Sequence, residues 1–503
     1  MSSHVASRTG ALDTSPGDRS RWLALALLAT TQFVLILDAA IVGVALPSIG
    51  KDLDLKQADL SWIANAYTLL FGGFLLLGGR LADLFGRRRL FVGGLALFTV
   101  ASLTAGLAQS GAMLIAARGI QGFAAALVSP AALSLVMILF RDGSARNKAL
   151  GIWGAVAGSG AAAGLVLGGL LTDWLGWESV FFVNIPIGIA AVALAFRLLP
   201  AAGPTEGARG FDLAGAVSVT AGLALLVYVL VDANDAGWAS TQTLGLGLLA
   251  VVLLAAFVVI EMRARHPLVP LRIFRAPMLR GSNAAAILMT MALFPTFFFI
   301  TLYTQQVLGY SPIKSGLAQL PFALTIILMA NVVPLIIGRI GLKATMVTGL
   351  VITAAGLLWY SRLSPDGSFL SDLLGPSLVT AGGAALAFIA TTIGATNGAA
   401  EHEAGLASGL INTTQQVGAA LGLGVLVAAA TARTESVVSG GEQVLGVALT
   451  EGYRAGILVA AGIALLSALM AATLFPRRPS EPAPVLPAQR EHRGELALEP
   501  SYD

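Results

Sequence analysis

The chemistry open to this chain starts from two opposite charges placed where charge is costly. Of 27 Asp and Glu residues, only Asp38 lies well inside an apolar run, in Ile36-Leu37-Asp38-Ala39-Ala40-Ile41-Val42. Of 30 Lys and Arg residues, only Arg118 does the same. A charged side chain at the centre of a bilayer costs several kcal/mol, so such residues pair or line a wet cavity. One use for a lone buried acid is a structural hydrogen bond to a neighbouring helix. The other is proton exchange: burial favours the neutral acid, a nearby arginine favours the carboxylate, and opposed terms of this kind let one group take up and release a proton. Counted along their spans, Asp38 lies about nine residues, roughly 14 Å, before Pro47, and Arg118 about seven residues, roughly 11 Å, after Gly111. The two spans run in opposite directions, so the charges sit within about a helical turn of one depth and are expected to couple, directly or through water. Gln121, Gly122 and Ala125 follow Arg118 at i+3, i+4 and i+7, which makes one polar, small-residue face beside it.

Other chemistries lack their residues. There is no cysteine, hence no thiol nucleophile, disulfide framework or Cys-based metal site. The histidines, His4, His266, His402 and His492, fall in tails or loops. No catalytic residue, metal site or cofactor is expected, and no enzyme. No Walker-type phosphate loop is present, so energy for any work on a solute would come from an ion gradient. Nucleic acid is not an expected partner.

The elements that must hold these charges are membrane helices. The chain has 503 residues, 56% of them hydrophobic and 11% charged, with a mean hydropathy of +0.82. At about 20 apolar residues per span, fourteen spans are expected, near 22–49, 60–81, 90–109, 112–140, 149–172, 179–199, 212–231, 243–262, 281–308, 316–340, 344–362, 375–397, 404–431 and 453–475. On the side of the N-terminus lie 23 of the Lys and Arg residues and on the other side 6, a bias that predicts both termini in the cytoplasm of a multi-pass cell-membrane protein. Residues 1–21 and 476–503 read as disordered tails, the first without a cleavable signal. Between them come a six-helix bundle over 22–199, a linker with two extra helices over 200–280, and a second six-helix bundle over 281–475. The extra pair, 212–262, carries no polar residue deep in the membrane and reads as an insert between two halves.

The turn after the second span runs Gly79-Arg80-Leu81-Ala82-Asp83-Leu84-Phe85-Gly86-Arg87-Arg88-Arg89. Positive-inside anchoring explains its arginines but not Asp83, or Gly79 and Gly86. A short turn needs glycine's backbone freedom, and Asp83 can accept from a helix N-terminus or an arginine. The fifth span is dense in glycine, with Gly160, Gly164 and Gly168 repeating at four beside Gly169, a groove suited to close helix packing.

Here the chain resembles a known family. The turn is similar to the signature between helices two and three of the major facilitator superfamily, and Arg118-Gly119-Ile120-Gln121-Gly122 to its arginine-bearing helix-four motif. Leu37 to Pro47 resembles the first-helix motif of the fourteen-helix drug:proton antiporters, Gly164 to Gly169 their helix-five antiporter motif, and Phe182-Val183-Asn184-Ile185-Pro186-Ile187-Gly188 the start of their helix six. In the second half, Tyr303 to Pro321 and Ala407-Ser408-Gly409-Leu410-Ile411-Asn412 are similar to the same subfamily. Ala40 and Gly43 stand where that family usually has threonine and asparagine, and Leu165 replaces the usual proline of the antiporter motif.

The resemblance implies an all-α protein of two six-helix bundles plus two inserted central helices, working by alternating access. It implies proton-coupled export of small lipophilic compounds such as antibiotics, dyes or secondary metabolites, with proton symport of an organic nutrient or chelate as the alternative. Partners would be that substrate, protons and the bilayer, with no obligate protein partner. Asp38 and Arg118 would couple to the proton. Gly79, Asp83, Gly86, Arg87, Gly164, Gly168 and Gly169 would serve conformational gating, with Asp83 facing the start of the thirteenth helix and Glu401 and Glu403 paired with Arg87 to Arg89. Aromatic and amide residues expected at the substrate are Phe33, Asn65, Tyr67, Gln121, Phe297, Phe298, Tyr303, Asn412 and Gln416.

Overall fold

In a hydrocarbon layer every backbone N–H and C=O must be satisfied within the protein, which leaves helices or closed barrels. The computed structural model, which describes residues 18–140, 143–200, 212–265, 267–397 and 404–475, takes the helical solution. Its first group is α1 (Asp18–Asp52), α2 (Gln57–Phe85), α3 (Arg87–Gly106), α4 (Gly111–Leu139), α5 (Gly143–Leu175), α6 (Ser179–Phe182) and α7 (Asn184–Leu198). Two helices follow, α8 (Leu213–Ala236) and α9 (Thr241–Arg263). The last group is α10 (Pro277–Leu302), α11 (Pro312–Ile340), α12 (Leu342–Tyr360), α13 (Gly375–Asn397), α14 (Ala404–Ser439) and α15 (Leu445–Leu474). Thirteen helical stretches among the described residues are long and apolar enough to cross a membrane, and Ser159–Leu175 is a shorter apolar one.

Both described ends lie at one end of the bundle, here called the terminal end. Near the start of α1, Trp22 packs on Phe140 just past α4, ring centroids 5.0 Å apart. After α15, the carbonyl of Phe475 accepts from Lys343 at the start of α12, at 2.6 Å. Leu77, Leu279 and Ala407, from α2, α10 and α14, share one cluster there.

Three departures from the expected spans have local causes. The sixth span is broken at Val183, between α6 and α7, because Pro186 has no N–H for the Phe182 carbonyl and its ring crowds that position. Second, α14 and α15 outlast their apolar runs, reaching Ser439 and beginning at Leu445. Arg433, just past the expected end of the thirteenth span, and Arg454, at the edge of the fourteenth, therefore lie on helices. Both pair with Glu451, which is how two helices carry charge past the apolar layer. Third, α10 passes into a π-helical turn over Tyr303–Val307.

The inserted pair is not idle packing. Leu223, Val227 and Val231 of α8 share a cluster with Leu69 of α2 and Ala420 of α14, so α8 covers the seam where those two helices meet. The glycine stripe of α5 lies against α1. A Cβ on Gly164 would come 2.6 Å from Ala40 Cβ and 3.1 Å from the Leu37 carbonyl, and one on Gly168 would come 2.9 Å from the Ile41 carbonyl. The stripe thus meets α1 at the turn that carries Asp38. Gly164→Val is expected to force these helices apart and cost about 1–3 kcal/mol, read as a lower thermal midpoint of the purified protein. Gly93→Ala, whose Cβ would meet nothing within 4 Å, is expected to leave that midpoint unchanged or higher.

Candidate functional site

Five helices converge on Asp38. It is 0% exposed and Arg118 1%, and the two form an ion pair, Arg118 Nη1 to Asp38 Oδ2 at 2.5 Å. The depth matching of α1 and α4 thus becomes direct contact. The other carboxylate oxygen, Oδ1, accepts from Asn184 Nδ2 at 2.7 Å and from Gln121 Nε2 at 3.2 Å. Gln121 is held in that orientation from both sides: its Oε1 accepts from Arg118 Nη1 at 2.9 Å, and its Nε2 donates to Ser102 Oγ on α3 at 2.8 Å. Ser102 spends its own proton on the Phe98 carbonyl, 2.8 Å away, so it can only accept from Gln121.

The arginine is fixed independently of the acid. Its Nε donates to the Ile63 carbonyl of α2 at 3.3 Å. Its guanidinium lies 4.3 Å from the Tyr67 ring centroid and 6.0 Å from that of Phe181, positions in which a ring face attracts a cation. Tyr67 is held in turn by its hydroxyl, which donates to the Leu35 carbonyl at 3.2 Å.

Every group bonded to Asp38 is therefore a hydrogen-bond donor. That arrangement suits a carboxylate, which accepts only. A proton added to Oδ1 would point at an amide NH₂. The nearest relief lies in Asn184, whose Oδ1 is buried without a hydrogen-bond partner in the protein; turning that amide over would present an acceptor to the new O–H.

The remaining expected site residues are spread out. Asn65 is 1% exposed, and neither polar atom of its side chain has a partner. It shares the Leu69 and Gly72 face of α2 by i+4 and i+7 spacing, the face that meets α14, rather than the Ile63 and Tyr67 face that meets Arg118. Gln416 stands on α14 at that seam, its Cβ 2.6 Å from where a Cβ on Gly72 would lie, while Asn412 is exposed. Phe33 is half-buried against the first group's core. Phe298 is buried edge-on to Phe299, and the Tyr303 hydroxyl donates to the Ser364 carbonyl at 2.6 Å, which ties both to the core at the far end of the second group. Phe297 packs edge-on against Phe322, centroids 4.5 Å apart.

At the turn after α2, Gly86 has φ +92°, a backbone that favours glycine. Arg88 donates to the Leu199 carbonyl at 3.1 Å and lies 5.5 Å over Phe196, fastening the start of α3 to the end of α7. Arg87 opens α3, and Gly79 lies on the Pro130 side of α2. The Asp83 side chain, Glu401 and Glu403 lie outside the described residues. Two groups at the acid escaped the sequence reading, Ser102 and Asn184. Asn184 had a signal: an amide two residues before a helix-breaking proline in an apolar span.

The first and last groups meet at the far end. Gln305 Nε2 donates to the Val44 carbonyl at 2.9 Å, and Asp173 Oδ2 accepts from the Ile313 N–H at 3.4 Å. Gly169 faces Pro312 and Ile313 at the start of α11, and Gly316 faces the Leu165 carbonyl. No three His, Cys, Asp or Glu side chains among the described residues gather as a metal site.

A family model described as Major Facilitator Superfamily matches residues 28–423. The chain is 43% identical to a cephamycin export protein of Amycolatopsis lactamdurans, covering 80% of this chain and 84% of that protein. It is 38% identical to a puromycin resistance protein of Streptomyces alboniger, over 92% of each, and 38% identical to a tetracenomycin C resistance and export protein of Streptomyces glaucescens, over 81% and 76%. Among solved structures, a bacterial homologue of the lysosomal transporter Spinster, inward-facing and unoccupied, superposes with a TM-score of 0.66 at 15% identity, covering 91% of this chain and 98% of that one. The peptide transporter PepTSo gives 0.65 at 17%, over 90% and 97%. At such identities the likeness is one of fold.

Arg118→Leu leaves a buried carboxylate without its counter-charge, a loss of about 3–5 kcal/mol that should lower the thermal midpoint of the purified protein. Adding Asp38→Asn removes that unpaired charge and is expected to restore much of the loss. Strictly additive losses in the double variant would show that the two residues do not act as one unit.

Proposed function

The chain belongs to the Major Facilitator Superfamily, and from that premise we propose that it exports antibiotics or similar small lipophilic compounds across the cell membrane in exchange for protons. The direction is supported by its relatives, whose names carry export or resistance; nothing among the described residues favours uptake instead. The observation that carries the proton half is the wholly buried acid whose bonded neighbours are all donors. The charge asymmetry of the loops supports cytoplasmic termini, so the far end faces outward.

The three donors around Asp38 fit a carboxylate, which accepts from all of them. Proton uptake gives Asp38 an O–H that faces no acceptor and removes the charge that strengthens its hydrogen bonds from Arg118, Gln121 and Asn184. Loss of the Arg118 bond frees a guanidinium held to α2 through Ile63 and Tyr67; loss of the Asn184 bond frees the break between α6 and α7. Either way protonation is felt by helices that share the core of the first bundle. Substrate and proton then compete through conformation: the molecule that has rocked open to the outside with its cargo is the one able to collect the proton that resets it. The glycine contacts of α5 with α1 on one side and α11 on the other supply a smooth surface for that rocking.

The test is proton release when puromycin is added to energised vesicles containing the purified protein. Wild type is expected to release protons and move the compound. Asp38→Asn is expected to bind it but lose proton-driven transport to background, and Arg118→Ala to be impaired in the same step. Undiminished proton-driven efflux by Asp38→Asn would overturn the coupling assigned to this residue.

A further inference from the structure

The second bundle contains a cavity that the acid site does not use. It lies among α10, α11, α12 and α13 and is small: its interior has room for about one water-sized group, within about 310 Å³ of empty space that is mostly gaps between its walls and the part open to the outside. Phe297, Phe322 and Tyr360 form aromatic walls, and no charged side chain lines it. Besides Tyr360, four polar side chains do: Thr296, whose hydroxyl is spent on the Ala292 carbonyl at 2.8 Å, and Gln319, Ser377 and Thr380, which are 4%, 2% and 1% exposed. The last three keep a buried polar atom without a well-formed hydrogen bond in the protein: Gln319 Oε1, Thr380 Oγ1, and Ser377 Oγ, which has the Tyr360 hydroxyl beside it. Orphaned buried groups of this kind cost about 1–3 kcal/mol each, and three on one cavity wall are not explained by packing.

The amide orientation of Gln319 follows from its neighbours. Its Nε2 reaches Thr301 Oγ1 at 3.1 Å and the Ser315 carbonyl at 3.5 Å. A carbonyl only accepts, so the NH₂ must stay on that side and the oxygen is left as an acceptor. Ser377 can donate or accept. Thr380 Oγ1 lies against Gly356 on α12, a contact that any larger residue at 356 would fill.

The geometry points to a substrate subsite: this cavity takes a hydroxyl, a water-sized neutral group that both donates and accepts a hydrogen bond, on a ligand whose aromatic or apolar flank rests at the open mouth against Phe297 and Phe322. The subsite rests on the export reading for its cargo but binds without using the Asp38 pair. Because it holds no charge, it recognises shape and hydrogen bonding, and leaves the cargo's charge free to vary.

Puromycin, which carries hydroxyls, an amide and a methoxyphenyl ring, is the probe. Its binding to purified full-length wild type, Ser377→Ala and Gln319→Leu is measured by titration calorimetry, with thermal unfolding of each protein in the absence of ligand. Ser377→Ala deletes a hydroxyl that makes no well-formed hydrogen bond and meets only the Tyr360 hydroxyl, so its unfolding midpoint is expected to be little changed while its Kd rises about three- to tenfold. Gln319→Leu should weaken binding at least as much; it also drops the bond to Thr301, so Ser377→Ala decides the question if Gln319→Leu folds poorly. Equal affinity in wild type and Ser377→Ala, no binding by any of the proteins, or a Ser377→Ala midpoint that falls along with affinity would each overturn the subsite. A wild type that binds puromycin through these residues yet does not carry it across vesicles would instead defeat the export reading and leave the subsite standing.

Discussion

A carboxylate surrounded only by donors is the constraint from which the rest of the first bundle follows. Removing water from Asp38 is tolerable because Arg118, Gln121 and Asn184 replace it with three directed hydrogen bonds. Each donor must then be aimed, and the aiming spreads outward: Ser102 holds Gln121, Ile63 and Tyr67 hold Arg118, and Leu35 holds Tyr67. Five helices owe their register to one side chain. Buried polar networks behave this way because in a low-dielectric interior a satisfied set is rigid and a partly satisfied one is costly. A group with those properties is poorly suited to passive packing and well suited to a switch, since adding one proton removes the charge that every donor of the set is aimed at.

Much of this was legible in the chain because the bilayer simplifies inference. Apolar run length marks the helices, and charge inside a run marks a site, so Asp38 and Arg118 could be paired from their depths before any contact was seen. The family motifs added the order of the elements. What could not be read was lateral direction. Asn65 and Tyr67 are two residues apart on α2, yet they point to different neighbours, the α14 seam and the arginine. Tyr303 and Phe298 lie in a motif-rich stretch but serve the far-end core. Polarity alone carries no azimuth in a helix that is apolar all round, and these helices are buried on more than one face. Asn184 was hidden for another reason, since it matters through the break that Pro186 imposes and not through its own spacing. The ends of α14 and α15 were misplaced because hydropathy registers the apolar layer, whereas helices stop where their backbone can be satisfied, and the Glu451 pairs let these two run on.

The two bundles divide their chemistry unequally. The first concentrates formal charge at Asp38 and Arg118; the second, in the cavity lined by Gln319 and Ser377, offers only neutral polar atoms and aromatic walls. This division has a physical rationale. A site that must lose and regain a proton cannot also bind tightly to many cargoes without each cargo shifting its charge balance. Recognition placed in the other bundle, away from the acid, lets cargo vary in shape while the coupling group keeps one environment.

The element that joins the two tasks is α5. Its Gly164 and Gly168 lie on α1 beside Asp38, and one residue further along, Gly169 meets the start of α11, with Leu165 offering its carbonyl to Gly316 of the same helix. One helix therefore touches the acid-bearing helix on one face and the opposite bundle on another, with a turn between the contacts. Glycine on the α5 side of the first approach, and on both helices of the second, brings α5 backbone close to its neighbours, and such a surface slides with little interlocking of side chains. A shift of α11 relative to the first bundle must displace α5 or slide along it, and displacement of α5 presses on the turn of α1 that holds Asp38. Close contact without side-chain interlock thus serves motion and coupling together: it permits the bundles to rock, and it ensures that the acid registers the movement.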